Sequence, residues 1–264
     1  MQPLLNIATT AARAGGKIIL RYVDRVESLS ITAKQRNDFV SEVDHLAERE
    51  IIGVIHKAYP RHSILAEESG EQRKDEEFQW IIDPLDGTTN FLHGFPQFCV
   101  SIALKRRGRI ELGVIYDPLK EELFTAHRGS GAQLDNRRIR VSRARDLQGA
   151  LLGTGIPYRP DQHNLDEYLQ TLKALIVNTA GVRRAGAAAL DLAYVACGRL
   201  DGFWEFGLRP WDIAAGALMV QEAGGLVSDM AGGETFMETG NIVAANPKVF
   251  KMMVQVLKPF AGYS

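Results

Sequence analysis

Four acidic residues stand where apolar segments end or where a helix begins. Glu67 follows the apolar run SILA, Asp83 ends the run WIID, Asp86 follows a Pro-Leu turn, and Asp212 begins a helical segment. A carboxylate beside an apolar strand is costly to desolvate unless a cation or a donor compensates it. Taken singly, Asp212 could be a helix-terminal acid and Asp86 a helix cap. Together they predict a Mg²⁺ site, because this ion prefers carboxylate oxygens. Acids that come from separate segments of the chain are typical of a site that binds two cations.

The three residues after Asp86 are Gly87, Thr88 and Thr89. If Asp86 caps a helix, the backbone N–H groups that follow it point beyond the helix terminus and can bind an anion. Gly87 permits close approach of the backbone to a ligand. Acids beside such amides predict a site for metal ions and a phosphate group.

The composition is that of an ordinary globular protein. The chain has 264 residues, a formal charge of −1 and 45% hydrophobic residues, which gives no reason to expect nucleic acid or an anionic membrane as the main partner. Neither Cys99 nor Cys197 begins the Cys-x5-Arg pattern of thiol phosphatases. Two separated cysteines favour a reduced, cytoplasmic environment. No apolar run is long enough to span a bilayer, and Arg13 and Lys17 interrupt the first segment, so we expect neither a membrane span nor a signal peptide.

Hydrophobic periodicity predicts two kinds of architecture along the chain. Helical spacing covers 3–27 and 41–58, and short apolar runs with hairpin breaks at 107–108 and 135–136 then predict a mostly antiparallel sheet. After about residue 146, strands and helices alternate. The sequence therefore predicts an N-terminal α+β part over 1–147, a C-terminal α/β part over 148–264, and an active site between them.

The segments WIIDPLDGTTNF (80–91) and LRPWDIAAGALMVQEAGG (208–225), with LAEESG before them, resemble the sequence patterns of the inositol monophosphatase family. The resemblance covers essentially the whole chain and is strongest to the bacterial branch. It implies a layered αβαβα sandwich of the metal-dependent sugar phosphatase type. It also implies hydrolysis of myo-inositol monophosphate and similar small polyol phosphates by metal-activated water, two to three Mg²⁺ ions, lithium sensitivity and a homodimer.

The resemblance also implies roles for single residues. Glu67, Asp83 and the backbone carbonyl of Leu85 would hold the first Mg²⁺, and a third, weaker ion would be bound largely through Glu67 and water. The second ion would be held by Asp83, Asp86 and Asp212. The catalytic residues would be Glu67, Thr88 and Asp44, with Thr88 hydrogen-bonded to Asp44 and orienting the attacking water. The substrate would contact Asp86, Gly87, Thr88, Thr89, Arg183, Ala188, Glu205 and Asp212.

Other interpretations of these residues stay open. Asp44 could be a solvated helix acid, Glu205 an exposed strand acid, and the segment GAAAL a tightly packed helix start. The basic segment 137–145 could be a solvated hairpin edge or a contact for RNA or an acidic protein.

Three alternative functions also remain. A sibling phosphatase would act on fructose 1,6-bisphosphate or adenosine 3′,5′-bisphosphate. A phosphoenzyme hydrolase is disfavoured because its two acids would be two positions apart, whereas Asp83 and Asp86 are three apart. The bacterial branch finally implies a binding protein in an rRNA transcription antitermination complex with NusA and RNA polymerase.

Overall fold

The computed structural model describes residues 2–28, 31–35, 38–74, 77–157 and 165–261. Its α-helices are α1 Gln2–Tyr22, α2 Glu42–Ala58, α3 Thr88–Leu92, α4 Leu165–Ile176, α5 Ala188–Ala196, α6 Pro210–Glu222, α7 Phe236–Thr239 and α8 Pro247–Leu257. Short 3-10 helices cover Val23–Ser28 and Lys258–Phe260.

The strands form a hairpin and two larger sheets. They are β1 Ile31–Gln35, β2 Asp38–Ser41, β3 Ser63–Ala66, β4 Gly70–Gln72, β5 Phe78–Asp86, β6 Cys99–Arg106, β7 Arg109–Asp117, β8 Glu122–His127, β9 Gly131–Leu134, β10 Arg137–Arg138, β11 Leu151–Thr154, β12 Gly181–Arg183, β13 Gly202–Glu205, β14 Leu226–Ser228 and β15 Ile242–Ala245. The eight-stranded sheet has the order β10-β9-β8-β7-β6-β5-β3-β4 and is antiparallel except between β3 and β5. The five-stranded sheet, β12-β11-β13-β15-β14, is parallel over its first three strands and antiparallel over the rest.

Two tight hairpin turns in the large sheet lie where the sequence predicts them. Arg107 and Gly108 have φ of 48° and 82°, and Asp135 and Asn136 have φ of 48° and 64°. Positive φ at both central residues is the feature of the turns whose twist matches that of paired strands. These turns fix the register of β6 on β7 and of β9 on β10.

Helices and sheets alternate in five layers. Helices α1 and α2 pack on one face of the eight-stranded sheet and bury Ile19 and Ile51 there. Helices α5 and α6 lie between the two sheets, where Leu192 and Ile213 join one core with Ile115 of the large sheet. Helices α4 and α8 cover the outer face of the small sheet. The predicted αβαβα sandwich is confirmed.

The middle layer approaches the large sheet closely at Gly113 of β7. A Cβ atom at this position would lie 2.9 Å from both the Cα and the carbonyl oxygen of Ala215 in α6. Backbone atoms cannot turn aside as a flexible side chain can, so glycine is required for this contact.

We expect Gly113→Ala to lower the free energy of unfolding by about 1–3 kcal/mol, because the added methyl group overpacks the interface between β7 and α6. Urea unfolding measures this change. Gly53→Ala in α2 is the matched control, since no atom outside its own helix lies within 4 Å of its Cβ position. In that helix the same substitution should stabilise by about 0.5–1 kcal/mol. If Gly113→Ala left the free energy of unfolding unchanged, the close contact between Gly113 and Ala215 would be wrong.

The first helices differ from the sequence prediction. The predicted helix over 3–27 is α-helical only to Tyr22 and continues as a 3-10 helix, and the hairpin β1–β2 separates it from α2.

The basic segment 137–145 begins with β10 at the edge of the large sheet, and its five arginines are exposed. The domain boundary near residue 147 stays a prediction. Within the described residues, no helix combines the length and hydropathy that crossing a membrane requires.

Candidate active site

An irregularity in β5 brings two acids to the same place. Asp83 pairs with Ser101 of β6 and Asp86 pairs with Cys99, so three steps along β5 correspond to two steps along β6. Side chains three positions apart on a regular strand point to opposite faces. The extra residue at Pro84-Leu85 reverses that alternation and re-aims the second acid, as bulges do.

Hydrogen bonds fix both of these carboxylates. The Leu85 amide donates to Asp83 Oδ1 at 3.0 Å. The Ala189 amide donates to Asp86 Oδ2 at 2.8 Å, and the Cys99 thiol lies 3.8 Å from the same oxygen. Asp83 is only 2% exposed. The bond from Ala189 ties the acids of the large sheet to the start of α5.

Glu67 and Asp212 come from two other elements. Glu67 directly follows β3, and its amide donates to the Ile82 carbonyl at 3.1 Å, next to Asp83. Asp212 is the third residue of α6, and its Oδ2 accepts from the Arg209 amide at 2.7 Å. Asp212 therefore does stabilise a helix start, as the simpler interpretation predicts, and it also acts on the other acids electrostatically.

The neighbouring acids raise the pKa of Asp83 and of Asp86. Burial raises the pKa of Asp83 well above its ordinary value, and the charges of Glu67, Asp86 and Asp212 add to this. Burial raises the pKa of Asp86 to about 8, with Asp212 the next contribution. Like charges that disfavour one another's ionised form are a common feature of functional sites.

This donor set fits a divalent cation by its chemistry. Hard oxygen ligands on rigid elements are what Mg²⁺ prefers, and a positive charge would offset the repulsion that raises the pKa values of Asp83 and Asp86. In the part of the chain that the structure describes, no three side chains of His, Cys, Asp or Glu stand arranged as a finished coordination shell. The acids are thus close enough to interact strongly without forming a closed cage.

Stability in the absence of divalent cations should depend on Asp86. Its pKa is about 8 in the folded protein, against an ordinary value of 3.8. Between these values the folded state binds a proton that the unfolded state does not, so this group makes the free energy of unfolding fall as pH rises. Urea unfolding in EDTA at about pH 5 and about pH 8 should show a smaller fall for Asp86→Asn than for the wild type. An equal fall in the free energy of unfolding in both proteins would show that the pKa of Asp86 is not raised in the folded state.

Asp44 and Thr88 form a hydrogen-bonded pair, as the sequence resemblance implies. Thr88 Oγ1 lies 2.8 Å from Asp44 Oδ1 and 3.1 Å from the Leu85 carbonyl oxygen. Asp44 Oδ2 accepts from the amide and the hydroxyl of Ser41 at 2.8 and 2.6 Å. Asp44 is fully buried, so the interpretation as a solvated helix acid is wrong. Burial raises the pKa of Asp44, although these hydrogen bonds oppose the shift.

Gly87 makes the turn into α3 possible. Its φ is +93°, and a Cβ atom there would lie 2.8 Å from the Gln97 carbonyl oxygen. Gly87 is the N-cap residue of α3 and provides no side-chain cap, so the alternative interpretation of Asp86 as a helix cap is wrong. Thr88 and Thr89 are the first two residues of that helix.

The second half contributes a buried acid, Glu205, at the end of β13. Glu205 is 9% exposed, which rules out an exposed strand acid. Its Oε1 lies 1.8 Å from the position of a Cβ at Gly155, so only glycine leaves room for this carboxyl group. Burial raises the pKa of Glu205 well above its ordinary value, followed by the charges of Asp191 and Asp212. Ala188, the first residue of α5, precedes the amide that binds Asp86.

Sequence reasoning missed Asp191 and Arg184. Asp191 lies in α5 and is 2% exposed. Burial raises its pKa well above the ordinary value, the charge of Asp86 adds to this, and the Arg184 guanidinium opposes it. Arg183, the predicted pocket residue, is exposed, and its guanidinium Nη1 donates to the adjacent Val182 carbonyl at 3.3 Å. No glycine marks Asp191 in the sequence: a Cβ atom at Gly153 would lie 3.6 Å from Asp191 Cγ, an ordinary contact, and 2.9 Å from Leu200 Cδ1.

A family model matches nearly the whole chain. The model described as "Inositol monophosphatase family" matches residues 1–258. The chain belongs to the inositol monophosphatase family. Members of this family are generally dependent on Mg²⁺, which agrees with the acidic donor set described above.

Individual members of the inositol monophosphatase family resemble the chain over nearly its full length. The protein named Nus factor SuhB of Pseudomonas aeruginosa is 55% identical over 263 residues, which cover 98% of this chain and 97% of the relative. The crystal structure of extragenic suppressor protein suhB from Bartonella henselae aligns with a TM-score of 0.94 and 46% identity, covering 97% and 98% of the two chains. The inositol monophosphatase from Anabaena (Nostoc) sp. PCC 7120 aligns with a TM-score of 0.84 and 40% identity, covering 98% and 96%.

Proposed function

We propose that the protein is a Mg²⁺-dependent phosphatase that hydrolyses myo-inositol monophosphate, and similar monophosphates of small polyols, to the free alcohol and phosphate. The observation that carries this proposal is the set of mutually interacting acids at Glu67, Asp83, Asp86 and Asp212. These acids would hold two to three Mg²⁺ ions, with the Leu85 carbonyl as a further oxygen ligand. Bound Mg²⁺ would neutralise charge on the phosphate group and acidify water.

Thr88 and Asp44 provide a route for the proton of the attacking water. Thr88 donates its only hydroxyl hydrogen to Asp44 Oδ1 at 2.8 Å, so the Thr88 oxygen presents its lone pairs to water. As the water attacks phosphorus, its proton passes to Thr88 Oγ1 while the Thr88 proton passes to Asp44. The raised pKa of Asp44 makes this carboxylate a better proton acceptor than an exposed aspartate.

The alcohol end of the proposed site is acidic and polar. Glu205 would accept hydrogen bonds from polyol hydroxyl groups, with Ala188 and the residues 86–89 beside the phosphate. Arg183 stays a predicted contact at the rim.

The charge of the alcohol end favours monophosphates over bisphosphates. Glu205 and Asp191 are both buried, and the charge of Asp191 adds to the rise in the pKa of Glu205. A second phosphate group there could bind only while both carboxyl groups stay protonated, and the repulsion from their ionised forms disfavours fructose 1,6-bisphosphate and adenosine 3′,5′-bisphosphate. The Arg184 guanidinium offsets part of this repulsion.

A substrate panel tests the proposal. Phosphate release in Mg²⁺ is measured with inositol 1-phosphate, glycerol 2-phosphate, fructose 1,6-bisphosphate and adenosine 3′,5′-bisphosphate. We expect the highest kcat/KM for inositol 1-phosphate and at least a tenfold lower value for each bisphosphate, about 1.4 kcal/mol in the transition state. A bisphosphate as the best substrate would replace the assignment by a sibling activity, and no release from any ester would refute it.

A second candidate function follows from the name Nus factor SuhB carried by a relative at 55% identity. In this function the chain binds the transcription antitermination machinery, with NusA and RNA polymerase as partners, and works in the cytoplasm. Calorimetric titration with purified NusA tests it, using wild type and Asp83→Asn. Equal binding of NusA by both proteins would show that this function does not depend on the phosphatase chemistry. If the wild type does not bind NusA, this second function is ruled out. A homodimer stays a prediction for either function.

A further inference from the structure

Asn90, the third residue of α3, contacts three backbone carbonyl groups with its side-chain amide. Asn90 Nδ2 lies 2.7 Å from the carbonyl oxygen of Gln97, 2.9 Å from that of Ala185 and 3.2 Å from that of Gly186. Two of these acceptors lie in the other half of the chain. An amide nitrogen has two hydrogens, so all its donating capacity is used here. The opposite orientation of the amide would place an oxygen against three carbonyl oxygens, so the donor must face them.

The carbonyl groups that Asn90 holds lie just before α5. At the start of that helix the Ala189 amide donates to Asp86 Oδ2 at 2.8 Å. Residues 185–189 are therefore attached at both ends to the segment 86–90. Ala188, a proposed substrate contact, lies between the two attachments.

Gly186 shows how tight this junction is. Its φ is +84°, and a Cβ atom there would lie 3.2 Å from Asn90 Nδ2 and 3.1 Å from a guanidinium nitrogen of Arg184. A side chain at this position would be strained by the backbone conformation and would press on Asn90. The close contact between the two segments depends on glycine on one side and on asparagine on the other.

We propose that Asn90 is a positioning residue that fixes the segment 185–189 against the segment 86–90, and so sets the distance between the phosphate end and the alcohol end of the site. This inference rests on the proposed phosphatase function. Asn90 acts through the backbone of Ala185 and Gly186, whose carbonyl groups its side-chain amide contacts. The attachment by Asp86 alone leaves the segment held at one end.

Hydrogen exchange and kinetics test this role in the full-length protein. Asn90→Ala removes the donors, and Asn90→Asp places carboxylate oxygens against the three carbonyl groups. In metal-free buffer we expect amide exchange over residues 184–190 to be about tenfold faster in both variants, because each loses the hydrogen bonds that hold this segment against α3. Exchange in α1 and α2 should not change. KM for inositol 1-phosphate should rise about tenfold, with a smaller change in kcat.

Asn6→Asp in the exposed part of α1 is the matched control for Asn90→Asp, because it makes the same chemical change at an exposed side chain that accepts a hydrogen bond from Gln2. It should match the wild type in exchange and kinetics. Unchanged exchange over 184–190 in Asn90→Ala would overturn the inference, as would a fall in kcat with constant KM. Exchange needs no turnover, so it still tests Asn90 if the wild type releases no phosphate and the proposed function itself fails.

Discussion

Asp83→Asn should slow phosphate release from inositol 1-phosphate by more than about a thousand-fold in saturating Mg²⁺, which corresponds to ~4 kcal/mol in the transition state. Asp83 is buried at the centre of the acidic cluster and interacts with Glu67, Asp86 and Asp212. In the proposed site Asp83 would be a ligand of both cations, so its loss would weaken the binding of both. Steady-state assays over a range of Mg²⁺ concentrations measure this effect.

The same substitution should not unfold the protein. In EDTA, Asp83→Asn removes one of several mutually repelling carboxyl groups, so its free energy of unfolding should equal or exceed that of the wild type at about pH 8. Asp146→Asn, at an exposed position outside the site, should change neither activity nor stability. Asp83→Asn activity within tenfold of the wild type would remove this residue from the metal site.

Thr88→Val should lower kcat for inositol 1-phosphate by about a hundred-fold or more, because proton transfer by a positioned group contributes typically 10²–10⁴-fold. Valine keeps the shape of the side chain but removes the hydroxyl that donates to Asp44. Single-turnover measurements in saturating Mg²⁺ isolate the chemical step.

Thr88→Ser is the matched control for that variant. It keeps a hydroxyl group on the same carbon atom and should retain kcat within about tenfold of the wild type. If serine and valine are equally slow, the hydroxyl does not carry the proton and the route to Asp44 is wrong. Affinity for Mg²⁺ should be similar in both variants, because neither changes a proposed carboxylate ligand.

The sequence allows the acidic end of the site to be predicted because its parts are local. Asp83 and Asp86 end a strand, and Asp212 begins a helix, so their chemistry is visible in short segments. Thr88 and Asp44 are 44 residues apart, and only the family resemblance joined them before the structure placed their oxygens 2.8 Å apart.

The alcohol end could not be predicted in the same way. Asp191 occupies an ordinary helical position, and its burial depends on the packing of α5 against β11 and β13. Glycine is needed at position 155 only because the Glu205 carboxyl group, which is distant in sequence, occupies the space where a side chain would lie. Asn90 likewise bonds to residues 95 and 96 positions away. These roles arise from tertiary contacts that no local spacing encodes.

The order of the helix and sheet layers could not be predicted from local sequence patterns either. Periodicity separates a first half with an antiparallel sheet from a second half with alternating elements, but it does not say which sheet face each helix covers. Strand β3 lies between β4 and β5 and is parallel to β5. The connection from β4 to β5 therefore crosses over β3, and no hairpin signal predicts it.

The middle layer has a consequence for the newly made protein. Strands β5 to β8 are complete at His127, whereas α5 and α6, which cover their inner face, span residues 188–222. While residues 128–187 emerge from the ribosome, Ile115 and Phe124 on that face have none of their helical neighbours. Exposed apolar sheet surface promotes aggregation during synthesis. Asp212 arrives with the same helix that covers this face, so the acidic cluster is completed only when the vulnerable surface is closed.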